Sequence, residues 1–225
     1  LARAVAADPN LELVALWTHF ATADEADSSF LVEQRDRLAG LGERARAEFP
    51  EVKLHAANSA AMIADPDCHF DMVRPGVAVY GMDPFGRDPG EHDLRPVLSF
   101  RSWVASIKPF MPGMSAGYGR TWTASRPTRI ATIPVGYGDG VRRGLSNRGQ
   151  VLVGGQRFNI SGTVSMDNIT VDIGDEAEVG VGDEVVLIGS QAGERITAEE
   201  VARDLDTINY EVTCGISPRV PRQQA

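Results

Sequence analysis

One stretch of this chain constrains its architecture more than any other. Residues 83–96, DPFGRDPGEHDLRP, hold Pro, Gly, Asp and Arg with almost nothing apolar. That composition marks a linker or long loop. Before it, strand-like and helix-like segments alternate. After it, short β-rich runs follow one another between Gly, Asn and Asp turns. A chain built this way needs two different packing solutions, one on each side of the break.

The first side reads as parallel β/α units. LELVALW (11–17) is a short apolar run behind the breaker Asp8-Pro9-Asn10, a buried-strand signal. Phe30, Leu38, Leu41, Ala45 and Phe49 fit one face of a helix, with Gln34 interrupting it and Asp24 or Asp27 available as N-cap. VKLHAA (52–57) is the next strand, a short helix starts at Asn58-Ser59, and DMV (71–73) leads through Arg74-Pro75-Gly76 into VAVYG. Roughly three such units cannot close an eight-stranded barrel. The chain also begins inside LARAVAADPN, which reads as the tail of a helix, so a fragment is expected.

The second side reads as a sandwich or barrel of closely spaced strands. Ile169, Val171 and Ile173 alternate with Thr170 and Asp172, the pattern of a half-buried strand. Thr197-Ala198-Glu199-Glu200 is a capping box that opens a helix through about Leu205. The expected fold class is α/β plus β. The last strands of a β/α (TIM-type) barrel occupy 1–82, the linker 83–96, and a mostly antiparallel β domain 97–225.

Composition excludes several functions. With 31 acidic against 22 basic residues, a net charge of −9 and a pI near 4.9, the chain lacks the basic footprint of a nucleic-acid binder. No apolar run approaches the ~20 residues of a membrane span, and no signal peptide is apparent. The two cysteines, Cys68 and Cys214, make no disulfide framework, so a reducing cytoplasm is expected. Walker A, HExxH, CxxC and GxSxG sequences are missing, and no metal site is expected. Lysine is scarce: Lys53 and Lys108 only.

Several residues invite a chemical reading, and each has a bland one. Ser59 and Gly76 each follow a strand in consecutive β/α units, where barrel loops bind phosphate; singly they are an N-cap serine and a turn glycine. Arg74 stands at the mouth of that second strand, as a positioned donor or as a solvated charge. His19 ends LELVALWTH, and a lone histidine is more often structural than catalytic. Tyr118 sits between glycines in SAGYG, Tyr137 lies in the glycine-rich turn GYGDG, and Tyr210 follows the capped helix. Met166-Asp167 ends GTVSMD. None of these decides function alone.

Taken in order, WTHFATADE (17–25), HAANSAA (55–61), RPGVAVYG (74–81), SAGYGRTW (115–122), IPVGYGDGVRR (133–143), SGTVSMDN (161–168) and TINYEVTC (207–214) closely resemble bacterial alanine racemase. The resemblance runs through Arg219-Val220-Pro221-Arg222 and covers the whole chain. It implies an N-terminal barrel that binds pyridoxal 5′-phosphate (PLP), a C-terminal β domain, and interconversion of L- and D-alanine for peptidoglycan. Ser59, Gly76, Val77 and Tyr210 match phosphate-binding positions of that family. Arg74 matches the arginine bonded to the pyridine nitrogen. His19 matches the histidine beside the cofactor ring that connects to the catalytic tyrosine. Tyr118 matches that tyrosine, the base on one face of the α-carbon. The Met166 N–H would hold the substrate carboxylate, and Asp167 and Tyr137 would line the entrance.

In the family the counterparts of Tyr118, Tyr137 and Met166 come from the partner subunit, so a homodimer is implied. The opposite base is the lysine of a Lys-Ala-(Asp/Asn)-Ala-Tyr-Gly type motif, which this chain does not contain; neither Lys53 nor Lys108 has that context. The expected role is therefore the C-terminal part of a racemase, inactive alone, with a companion N-terminal fragment as possible partner. The alternatives are a related PLP decarboxylase and a non-catalytic PLP- or phosphate-binding fragment.

Overall fold

The computed structural model describes residues 1–224, and these divide into two compact units. The first comprises Leu1–Phe85 with His92–Leu94, and the second Gly86–Glu91 with the chain from Arg95 onward.

The first unit runs α1 (Ala2–Ala7), β1 (Ala15–Trp17), α2 (Ser29–Glu48), β2 (Lys53–His55) and α3 (Ser59–Ala64), then short 3-10 turns at Pro66–Cys68 and Val77–Tyr80. β1 and β2 pair in parallel, with Ala15 opposite Lys53 and Trp17 opposite His55. The third expected strand, DMV, contributes only one parallel bridge, from Met72 to His55. Phe20, Leu31, Leu38, Leu54, Ala56, Ala57, Ala60, Ala61 and Cys68 form the core.

The helix expected over this region is present, but of its expected face only Leu38 is fully buried, with Ala45 and Phe49 half-buried. α2 buries Leu31, Leu38 and Gly42, while Phe30 and Leu41 are exposed. A Cβ at Gly42 would lie 2.2 Å from Leu54 Cδ1, so the helix seats on β2 through a residue without a side chain. A count of apolar positions cannot register that contact. The N-cap is Ser28 rather than Asp24 or Asp27; Asp27 instead accepts from the Ser29 amide at 2.9 Å.

The residues read as a linker are pinned at several points. The buried Asp83 carboxylate accepts from the Phe85 amide at 2.7 Å and pairs with His92 Nδ1 at 2.5 Å. Within the second unit, Asp88 pairs with Arg195, and Arg203 donates to the Gly86 carbonyl at 3.0 Å.

The second unit contains β3 (Phe100–Trp103), β4 (Ser106–Phe110), β5 (Ser115–Ala116), β6 (Trp122–Thr123), β7 (Thr128–Ile133), β8 (Gln150–Val153), β9 (Gln156–Ile160), β10 (Ile169–Asp172), β11 (Glu184–Gln191) and β12 (Glu194–Ile196). The main sheet has the order β12-β11-β8-β9-β10-β7-β4, with β3 also pairing with β11, and every pairing in it is antiparallel. β5 and β6 form a separate hairpin. Gly154 and Gly155, at φ 60° and 78°, make the two-residue turn from β8 to β9 that the right-handed strand twist favours. Ile169, Val171 and Ile173 are buried, and Thr170 and Asp172 are half-buried, as the alternation predicts.

α4 (Ala198–Leu205) begins at the expected cap, where Thr197 Oγ1 accepts from the Glu200 amide at 3.1 Å. The reciprocal half of the capping box is not made. The Glu200 carboxylate pairs with Arg157 instead. A further short helix, α5 (Asn209–Cys214), carries Tyr210. No helix among the described residues is long and apolar enough to cross a membrane.

Candidate active site

In the first unit the candidate chemistry gathers around Arg74. Its guanidinium lies 5.2 Å from the centroid of the Trp17 ring. Nη1 donates to His55 Nδ1; Nη2 donates to the Thr18 carbonyl at 2.9 Å, approaches the Ala56 carbonyl at 3.3 Å, and reaches His19 Nδ1 at 3.2 Å. The Trp17 and His55 rings are parallel within 2°, their centroids 6.1 Å apart. Arg74 and His19 are thus neighbours.

His55 is the participant that residue-by-residue reading passed over. Its ring nitrogen accepts from a cation, so it must be the neutral form. Burial pushes its pKa down, and the charge of Arg74 lowers it further. Only the parallel register that sets Trp17 beside His55 makes the partnership visible.

Ser59 and Gly76 also meet, in an arrangement that revises their roles. Asn58 caps α3 by accepting from the Ala61 amide at 2.9 Å, which leaves the following Ser59 nearly fully buried. Ser59 Oγ accepts from the Gly76 amide at 2.9 Å and from the Ala78 amide at 3.2 Å. The Gly76 N–H, expected as a phosphate donor, is therefore directed at Ser59. The hydroxyl keeps its own proton to donate. A Cβ at Gly76 would meet no atom within 4 Å, so there is open space over this turn, and Val77 follows as the first residue of the 3-10 turn. Two backbone amides polarise the hydroxyl, making it a better donor to an anion.

In the second unit Tyr137 and the Met166-Asp167 pair sit on loops joined backbone to backbone, while the turn of Tyr118 is tied to the second of these through the Thr163 side chain. The Tyr137 amide donates to the Ser165 carbonyl at 3.0 Å, and the Gly138 amide to the Met166 carbonyl at 2.9 Å. The approach is close enough that a Cβ at Gly136 would fall 2.3 Å from the Ser165 carbonyl oxygen. The glycines of GYGDG therefore serve loop contact. Tyr118, Tyr137 and Met166 all present exposed side chains, and Tyr210 is partly exposed on α5.

Arg219 joins these two loops and was not singled out as a site residue. Its Nε donates to Asp139 at 2.7 Å and its Nη2 to Asp167 at 2.5 Å. Asp139 also accepts from the Gly136 amide at 2.8 Å. Burial by itself would raise the Asp139 pKa, but the Arg219 hydrogen bond, the Gly136 amide and the Arg219 charge outweigh it, and the net shift is downward. An arginine distant in the chain from both carboxylates leaves no local signal of this kind.

Comparison with known proteins gives the same family for both units. Residues 1–84 match the family model "Alanine racemase, N-terminal domain", and residues 97–224 match "Alanine racemase, C-terminal domain". Among curated relatives, the alanine racemase of Halothermothrix orenii is 46% identical over 218 residues, covering 95% of this chain and 57% of the relative. That of Symbiobacterium thermophilum is 46% identical over 223 residues, covering 99% and 59%. The chain thus spans less than two thirds of the length of these relatives. Among solved structures, the alanine racemase from D-cycloserine-producing Streptomyces lavendulae matches with a TM-score of 0.89 at 37% identity, covering 98% of this chain and 59% of that one. The biosynthetic alanine racemase from Pseudomonas aeruginosa matches with a TM-score of 0.86 at 35% identity, covering 99% and 60%.

Proposed function

Because the chain belongs to the alanine racemase family, we propose that it supplies the cofactor-binding strand ends and the tyrosine base of a PLP-dependent enzyme that interconverts L- and D-alanine. The observation that carries this reading is the setting of Arg74. Its two Nη groups are engaged by His55, His19 and two carbonyls, while Nε makes no hydrogen bond among the described residues. The Nε–H and the second N–H of Nη1 thus remain on a guanidinium whose plane is already fixed. That is what a ring nitrogen requires of a directional donor, and the residues present fit the group.

When bound, PLP delocalises the electron pair left at the α-carbon after deprotonation. Arg74 tunes that capacity. A guanidinium does not release its proton near neutral pH, so it leaves a ring nitrogen hydrogen-bonded but unprotonated. The weaker electron sink suits brief deprotonation and return over side reactions such as transamination. The Ser59 hydroxyl, polarised by the Gly76 amide and facing the open turn at Gly76 and Val77, donates to the phosphate; by the family resemblance Tyr210 is the second hydroxyl offered to it. Tyr118 exchanges a proton at one face of the α-carbon, the Met166 amide holds the substrate carboxylate, and Tyr137 and Asp167 line the entrance. The enzyme is a cytoplasmic homodimer in which the residues equivalent to Tyr118, Tyr137 and Met166 serve the partner subunit's site, and its product feeds peptidoglycan.

Two-base racemisation also requires a lysine to hold PLP and serve the opposite face. Lys53 begins the strand that ends at His55, and Lys108 lies within β4 of the second unit. Neither has the sequence context of that amine, so the 225 residues by themselves are expected not to turn over. Borohydride reduction with PLP followed by peptide mass mapping tests this. PLP fixed on Lys53 or Lys108 together with turnover would refute it.

The test of the function itself is Tyr118→Phe in the intact, PLP-loaded protein. Removing the hydroxyl and keeping the ring should abolish interconversion by about 100-fold or more while PLP binding is retained. One enantiomer should still exchange its α-proton with solvent. Equal slowing of exchange for both enantiomers would contradict a one-face base.

A further inference from the structure

Resting on the functional reading above, we propose that Thr163 and Asn147 are positioning residues for the Tyr118 base, through a one-way chain of hydrogen bonds that ends on the Tyr118 carbonyl. Tyr118 has an exposed side chain, 74% accessible, so packing within its own chain does not fix it. Its backbone neighbourhood is unusual as well. Gly117, Gly119 and Arg120 all have positive φ, at 75°, 70° and 50°. A short turn of this kind needs an external hold to keep one conformation.

That hold comes from the loop that carries Met166. Thr163 Oγ1 donates to the Tyr118 carbonyl at 2.8 Å. Its single proton is committed there, so at the 3.2 Å contact between the two hydroxyls Thr121 is the donor and Thr163 the acceptor. Asn147 Nδ2 donates to Thr121 Oγ1 at 3.1 Å, and Asn147 Oδ1 accepts from the Gly162 amide at 2.6 Å. Every proton in the series Asn147, Thr121, Thr163, Tyr118 points the same way, and such ordered chains strengthen each member.

The backbone supports the same link. A Cβ at Gly117 would lie 2.8 Å from the Thr163 nitrogen, and one at Gly162 would lie 2.7 Å from the Ala116 carbonyl oxygen. Asn147 has a φ of 58°, a conformation asparagine tolerates better than most residues. Together these contacts tie the turn bearing the base to the segment that leads to Met166. They set the tyrosine hydroxyl against the amide that receives the substrate carboxylate, and a small misplacement there slows proton transfer steeply.

The experiment uses the intact, PLP-loaded protein and three variants. Thr163→Val removes the hydroxyl at nearly constant shape, Thr163→Ser restores it, and Asn147→Gly keeps the positive φ while deleting the amide. Thr163→Val should lower kcat by about tenfold with KM for alanine within about twofold. The α-deuterium isotope effect should rise for the enantiomer deprotonated by Tyr118 and not for the other. Thr163→Ser should recover most of the rate, and Asn147→Gly should shift the same isotope effect. Independently of activity, amide hydrogen exchange should speed up across 117–122 in Thr163→Val and stay unchanged in the β8–β9 hairpin. Wild-type isotope effects with wild-type exchange in both Thr163→Val and Asn147→Gly would overturn the proposal, as would equal changes for the two enantiomers. Absence of racemisation in the unsubstituted protein would instead refute the functional reading, while the exchange measurement would still judge the hydrogen-bond chain.

Discussion

Gln34 holds the segment that bears His19: its Nε2 donates to the His19 carbonyl at 3.2 Å, and its Oε1 accepts from the Ala21 amide at 3.0 Å. The side chain that interrupts the apolar pattern of α2 is thus the one that fixes the loop beside Arg74. Gln34→Leu would make the helix more uniformly apolar and remove both bonds. We expect it to cost about 1 kcal/mol of stability in urea unfolding and to weaken PLP binding severalfold in an absorbance titration. An unchanged PLP affinity would show that the loop is held by other contacts.

Features whose signal lies within a few neighbouring residues were legible in the sequence. The break in character at 83–96, the alternation around Val171 and the Thr197 cap all belong to this class. What escaped was set by pairing across the chain. His55 acquires its role from a strand register, Gln34 from a backbone segment that precedes it, and Arg219 from two loops that precede it. Gly42 escaped for a different reason: its contribution is the absence of a side chain at a contact. The candidate residues His19 and Arg74 were found by motif and do lie together, whereas the polar side chains that hold their loops carry no motif.

Gly42 makes that last contrast measurable. In an isolated helix Gly42→Ala would gain about 1 kcal/mol from propensity. Here the added methyl would meet Leu54 Cδ1 at 2.2 Å, in the core of the first unit. Overpacking of this kind costs about 1–3 kcal/mol, so the variant should be no more stable than the parent and on balance less. Thermal unfolding of Gly42→Ala, and of Gly42→Ala combined with Leu54→Val to make room, separates the two contributions. A stabilised single variant would mean that α2 does not press on β2.

The two thiols should react very differently. Cys68 is buried, and burial first, with the nearby Asp65 carboxylate adding to it, pushes its pKa up to about 12. Reaction requires the thiolate, so at pH 8 almost none is available at Cys68. Cys214 is exposed. Brief treatment of the folded protein with iodoacetamide should add one carbamidomethyl group, located at Cys214 by peptide mass, and the second should appear only in urea. Rapid labelling of Cys68 without denaturant would contradict the packing of α3 against its neighbours.

The Asp139–Arg219 pair gives the second unit a predictable response to acid. The Asp139 carboxyl titrates below its ordinary value when folded, because hydrogen bonds and charge from Arg219, with the Gly136 amide, overcome the effect of burial. In the unfolded chain the carboxyl returns to a pKa of about 3.9. The unfolded state therefore binds the proton more readily as the pH falls. Stability from this group is fully present above about pH 5 and drains away below about pH 4, toward the depressed folded pKa. Arg219 stays charged across this whole range and adds no titration of its own. Other carboxylates also titrate in this window, so the informative quantity is a difference between proteins. Asp139→Asn should be less stable than the parent to urea at pH 7, and the gap should narrow steadily between about pH 4 and pH 2.5 as the parent's carboxylate is neutralised. A gap that stays constant over that interval would mean that the asparagine loses shape or hydrogen bonding alone, and that the ion pair with Arg219 adds nothing to the join between the Tyr137 and Met166 loops.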